Sequence, residues 1–147
     1  MPVKPIPEGY HSLTPLLVVP GVANLIEFVK EAFGAQEIFR FPGPDGRIAH
    51  AEVKIGDSML MMGEPSEGHP PMPAMIHLYV EDVDAVYQRA LEAGAGSLQE
   101  PADQFYGDRT AGVRDASGNQ WHIATHKEDP SPEEFARRME AARQRAG

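Results

Sequence analysis

The feature that most constrains this chain is an internal repeat. Leu17-Val18-Val19-Pro20-Gly21-Val22 leads into a helical stretch from Ala23 to Gly34, and Leu78-Tyr79-Val80-Glu81-Asp82-Val83 leads into another from Asp84 to Gly94. Leu17 and Leu78, Val19 and Val80, and Val22 and Val83 are each 61 positions apart, whereas Gly34 and Gly94 are 60 apart, so the two helices differ by one residue. A unit repeated in this way buries its apolar face by packing on its copy, and the repeat therefore decides the fold before any single element does.

Each copy predicts the same order of elements. Leu25, Ile26, Val29 and Phe33 recur at spacings of three and four, as do Val83, Val86, Tyr87, Ala90 and Leu91, and both sets predict amphipathic helices. Gly34 and Gly94 stand where a left-handed residue would end each helix. In the first copy the strands expected next are Glu37 to Phe41, Arg47 to Ile55 and Ser58 to Met62, separated by the turns Pro42-Gly43-Pro44-Asp45-Gly46 and Gly56-Asp57. In the second they are a short Ser97 to Gln99, then Arg109 to Arg114 and Asn119 to Thr125, joined by Asp115-Ala116-Ser117-Gly118. The fold class is α+β. Each half reads βαβββ and gives a mixed sheet with a helix on one face and an open cavity on the other.

All 147 residues fit one domain, with halves at about 10–63 and 74–127, a Pro- and Gly-rich linker at 64–73 and a C-terminal helix at 131–145. In that helix Ser131 is the expected N-cap, Pro132 the first helical residue and Glu134 the reciprocal member of a capping box. Phe135, Met139 and Ala142 form a narrow apolar stripe for packing on the domain or on a second copy.

Composition removes several function classes. With no cysteine there is no disulfide, thiolate metal site or Cys nucleophile. Met1 to Glu8 carries three prolines and no apolar run, so no signal peptide is expected there. No stretch nears the roughly 18 apolar residues of a membrane span. A cytoplasmic location is the expectation. The net charge of −9 repels phosphate backbones, so nucleic acid is not an expected partner.

Several separated strings agree in order with one known family. Gly9-Tyr10-His11 before Leu13-Thr14-Pro15, Phe33-Gly34-Ala35, His50-Ala51-Glu52 before Ile55-Gly56-Asp57-Ser58, Tyr106-Gly107-Asp108-Arg109, and Trp121 before Ala124-Thr125-His126 carry the likeness. From Gly9 to about Asp129 the chain resembles the vicinal oxygen chelate superfamily, which includes glyoxalase I, extradiol dioxygenases, methylmalonyl-CoA epimerase and bleomycin-resistance proteins, and within it the PhnB-like branch. The resemblance implies an incomplete barrel with a cavity. It also implies a homodimer, because members of this length pair their half-sheets across two chains. Function does not follow from it, since one scaffold hosts many chemistries.

Strand parity then selects the cavity side chains. Ile76, Leu78 and Val80 belong on the helix face, leaving Met75, His77 and Tyr79 toward the cavity; Trp121 and Ile123 belong on the helix face, leaving Gln120, His122 and Ala124. Aligned with the superfamily's metal-using members, the four ligand positions here are Thr14, Met61, Met75 and His122. Only His122 offers a good donor for a hard or borderline divalent ion. No cofactor is expected at these positions. Two readings remain for the other polar side chains. His50, Glu52, His77 and His122 together form a displaced divalent metal site, or they are separate anchors in a ligand pocket. Tyr106, Asp108 and Arg109 form a polar cluster in which Arg109 either orients an anionic ligand or pairs with an aspartate. His11, His69 and His126 fall in loops or at strand ends and read as surface or structural.

The expected function is small-molecule binding, a sequestration or resistance role, with Thr14, His50, Glu52, Met61, Met75, His77, Tyr79, Tyr106, Arg109 and His122 as the ligand-contacting set. The alternative is a lyase, isomerase or epimerase acting next to a carbonyl, with His122 or His77 as general base near Glu52 or with a displaced metal. A third possibility, a structural or regulatory partner protein, has only the C-terminal helix in its favour.

Overall fold

The computed structural model describes residues 3–146; Met1, Pro2 and Gly147, which the single-domain reading and the signal-peptide expectation include in part, lie outside the described residues. The order of elements is β1 Leu16–Val18, α1 Val22–Phe33, β2 Gln36–Pro42, β3 Ile48–Ile55, β4 Ser58–Gly63, β5 Met75–Tyr79, α2 Val83–Glu92, β6 Gly96–Asp103, β7 Asp108–Arg114, β8 Gln120–His126 and α3 Pro132–Ala146. These form two four-stranded sheets, β1-β4-β3-β2 and β5-β8-β7-β6, so each half is βαβββ as the repeat requires. The first strand of each half pairs in parallel with the last, and the other pairings are antiparallel.

The pairing register confirms that the halves are copies. Leu16 sits opposite Met61 in the first sheet and His77 opposite His122 in the second, both offset by 61. The loss of one residue at the helix is made good at the last hairpin: Lys54 pairs with Met59, whereas Arg114 pairs with Gln120.

α1 and α2 each pack an apolar stripe on the sheet of their own half, and they pack on each other. One continuous core results, in which Leu17, Ile26, Val29, Val53 and Met62 of the first half join Val83, Val113, Trp121 and Ile123 of the second. Phe33, the last residue of α1, meets Trp121 with ring centroids 4.8 Å apart, and this contact ties the halves together. Among the described residues no helix is long and apolar enough to cross a membrane.

Remote side chains finish what local sequence leaves open. α1 begins at Gly21, which has no side chain to cap it; Glu64, from the segment between the halves, accepts from the Gly21 and Val22 amides at 3.2 and 2.6 Å. At the turn before β8, Asp115 is buried and accepts from the Ser117 and Asn119 amides, the Asn119 side chain and the Trp121 indole. Asn119 in turn accepts from the Ala74 amide at 2.9 Å, which fixes the entry to β5.

Two sequence expectations need correction. β6 runs on to Asp103 rather than ending at Gln99. Pro101 masks it in the sequence, but β6 is an edge strand with register shifts, where a missing amide is tolerated. The capping box before α3 is half made. Ser131 Oγ accepts from the Glu134 amide at 3.1 Å, but the Glu134 carboxylate turns to Arg137 and Arg138. Two guanidiniums within reach outcompete one amide for that carboxylate. α3 itself has no buried residue and is tethered to its own domain by Phe135 against Phe105, at 5.6 Å, and by Arg138 on Glu128.

Candidate functional site

A cleft of about 1010 Å³ lies between the halves. Its first-half walls are the segment before β1, with His11 and Thr14, the end of α1 at Phe33, and the Ile55–Leu60 hairpin; its second-half walls are β5, with His77 and Tyr79, followed by Glu81, Trp121, Thr125 and His126. Phe33, Met59, Leu60, Ile76 and Leu78 make much of this surface apolar. Because β5 is the edge strand of its sheet, side chains from both of its faces reach the cleft.

The faces of the sheets away from the helices carry most of the remaining expected residues. Cross-strand neighbours share a face. In the first sheet that face holds the row Leu16, Met61, Glu52 and Phe39, followed by His50 with Phe41. His50 Nε2 lies 2.8 Å from Glu52 Oε2, so these two are partners. A smaller hollow of about 370 Å³ abuts His50, Leu16 and Glu64. In the second sheet the equivalent row is His77, His122, Gly112 and Gln99, with Met75 opposite Gln120. A Cβ on Gly112 would lie 3.4 Å from Leu98 Cβ and 3.7 Å from His122 Nδ1, so glycine leaves the imidazole uncovered. The other ring nitrogen of His122 lies 3.3 Å from Gln120 Oε1, and the His77 and Tyr79 rings meet at 4.9 Å.

The expected residues are therefore distributed. Thr14, His77 and Tyr79 line the cleft; His50, Glu52 and Met61 share the open face of the first sheet; Met75 and His122 share that of the second. His50 and Glu52 stand on a different sheet from His77 and His122, and among the described residues no three His, Asp or Glu side chains are grouped so as to hold an ion. Arg109 is engaged elsewhere. It grips Asp84 through two nitrogens at 2.8 and 3.0 Å and reaches Asp103 at 3.2 Å, tying α2, β6 and β7. The Asp84 bond raises the guanidinium pKa further, and Arg109 depresses that of Asp84. Tyr106 packs edge-on to Phe105 at 5.2 Å, and burial, then the Asp108 charge, pushes its hydroxyl pKa up.

One pair escaped the sequence reading. Asp108 and His126 are opposite each other in register, where β7 begins and β8 ends, and His126 Nδ1 donates to Asp108 Oδ1 at 2.7 Å. Parity could have found them, since 108, 110 and 112 share a face, as do 122, 124 and 126. His126 sits on the cleft wall, and its pKa is raised, first by the bond to Asp108 and then by one to Asp129.

Comparison with known proteins places this geometry in a family. Residues 11–123 match the model of the Glyoxalase/Bleomycin resistance protein/Dioxygenase superfamily. An uncharacterized protein of Mycobacterium bovis is 39% identical over 123 residues, covering 76% of this chain and 81% of its own. Among solved structures, TioX from Micromonospora sp. ML1 is 26% identical, covers 78% of this chain and 95% of its own, and superposes with a TM-score of 0.62. TnmS3, an antibiotic binding protein from Streptomyces sp. CB03234, is 24% identical, covers 80% and 96%, and has a TM-score of 0.64; at that identity the likeness is one of fold.

Proposed function

The chain belongs to the Glyoxalase/Bleomycin resistance protein/Dioxygenase superfamily, and we propose that within it the chain binds a small organic molecule between its two halves and sequesters it. The observation that carries this reading is the cleft of about 1010 Å³, apolar over Phe33, Met59, Leu60, Ile76 and Leu78 and provided with a few polar groups, Thr14, His77, Tyr79 and His126. That is the composition of an organic-ligand site, in which apolar area supplies affinity and a few hydrogen bonds supply orientation. The antibiotic-binding protein TnmS3 gives a precedent for the fold. The donors at the superfamily's metal positions, one hydroxyl, two thioethers and the His122 imidazole, do not fit a divalent cation, and the reading includes no metal.

The reading extends to a cytoplasmic homodimer of the PhnB-like branch. Phe41, Met75 and Tyr79 are 56, 68 and 63% exposed on the open sheet faces. A second copy laid against them would remove that apolar surface from water and enclose His50, Met61 and His122 in the same hollow. Sedimentation at micromolar concentration should give a dimer; a monomer alone refutes this part.

The binding claim is tested by a thermal-shift screen of aromatic antibiotics and small carbonyl compounds, with each hit recovered and weighed for turnover. A ligand at 100 times its Kd should stabilise the fold by about 2.7 kcal/mol. His77→Ala, which removes a polar side chain from the cleft wall, should weaken such hits. Hits recovered chemically altered would make the protein an enzyme instead.

A further inference from the structure

At the second-half end of the cleft, Tyr79 and His126 are linked through one carboxylate. The Asp108 carboxylate, 6% exposed, accepts from His126 Nδ1 at 2.7 Å and from the Tyr79 hydroxyl at 3.4 Å. The second ring nitrogen, Nε2, meets Asp129 Oδ1 at 2.7 Å. A carboxylate only accepts, so two such partners require that both ring nitrogens donate and that the imidazole be charged.

The two carboxylates are not equivalent. Asp108 is fixed in the β7–β8 ladder, buried and shared between two donors. The Asp129 side chain is 92% exposed and belongs to the segment between β8 and α3. An exposed ion pair is worth about 0–1 kcal/mol, so the Nε2 contact opens at little cost, whereas the Nδ1 contact does not. The result is a cation on the cleft wall, oriented from behind by a buried carboxylate and covered in front by a displaceable one.

We propose that His126 Nε2 receives an acidic oxygen of the bound molecule, a carboxylate, phenolate or enolate, and that Asp129 holds the same N–H until that oxygen displaces it. Tyr79, on the cleft wall and bonded to Asp108, flanks the anchored group. Asp57 and Glu81 also line the cleft and repel a second anionic group, so the ligand class is an apolar body with a single acidic oxygen. This rests on the cleft being the binding site.

The probes are 2-naphthoate and its neutral isostere 2-naphthamide, titrated into the full-length chain by calorimetry, with histidine ¹⁵N spectra to report on the His126 ring. A charge-assisted hydrogen bond should favour the carboxylate by about tenfold and shift the His126 Nε2 resonance with naphthoate only. His126→Gln should abolish the preference while naphthamide still binds. Asp129→Asn, which removes the competitor, should tighten naphthoate by roughly threefold or more and leave naphthamide unchanged. Equal binding of the two probes, or weaker naphthoate binding by Asp129→Asn, overturns this inference but not the cleft reading. Binding of neither probe at millimolar concentration overturns both.

Discussion

Trp121 donates its indole N–H to Asp115 Oδ2 at 2.8 Å, across the turn that launches β8. The same carboxylate holds two backbone amides and the Asn119 side chain, so one residue organises the β7–β8 turn and, through Asn119, the start of β5. Asp115→Ala should leave these buried donors without an acceptor and destabilise the protein by about 3 kcal/mol. Urea denaturation measures it; a loss below about 1 kcal/mol would mean that water replaces the carboxylate without penalty.

Glu64 is the only side chain capping the start of α1 among the described residues. Glu64→Ala should cost about 1–2 kcal/mol by freeing two amides and removing a negative charge from the positive end of the helix. Glu64→Gln should recover part of that loss. Equal stability of all three proteins would show that the contact contributes nothing.

Gly107 has φ +105°, and a Cβ there would lie 2.2 Å from the Glu128 carbonyl oxygen, whose residue also donates its amide to Gly107 O. Gly107→Ala should therefore destabilise by about 2 kcal/mol or more, from both the backbone conformation and the clash. The displaced segment, 127–130, carries Asp129, so the His126 ring signals should move as well. An unchanged melting temperature would contradict the close approach.

His126 gives stability a defined pH dependence. Its folded pKa is raised, chiefly by Asp108, so the stabilisation is complete below the unfolded histidine value of about 6.5 and is lost as pH rises through the folded value. The melting temperature of the wild type should therefore exceed that of His126→Gln most below about pH 6.5, with the gap closing as pH rises above that value. A gap that is constant or widens with pH would mean that the imidazole is held neutral.

How much of this was legible in the sequence depends on the range of the interaction. Periodicity identified both helices, and parity put Ile76, Leu78 and Trp121 on the core face and Met75, His77 and His122 on the other, because alternation is a property of the strand itself. The edge strand β6 was cut short because Pro101 weakens a strand signal wherever it stands, while its penalty depends on whether a neighbouring strand needs the missing amide.

The sequence by itself determined the duplicated βαβββ order and the faces of the β5 and β8 side chains, since these follow from local periodicity and the repeat offset. Only the tertiary structure decided which side chains meet. It set Arg109 with Asp84, Glu64 at the head of α1 and His126 on Asp108. The physical reason is that hydrogen bonds and ion pairs act over a few ångströms, and spacing along a chain does not encode distances of that size between segments far apart in the sequence.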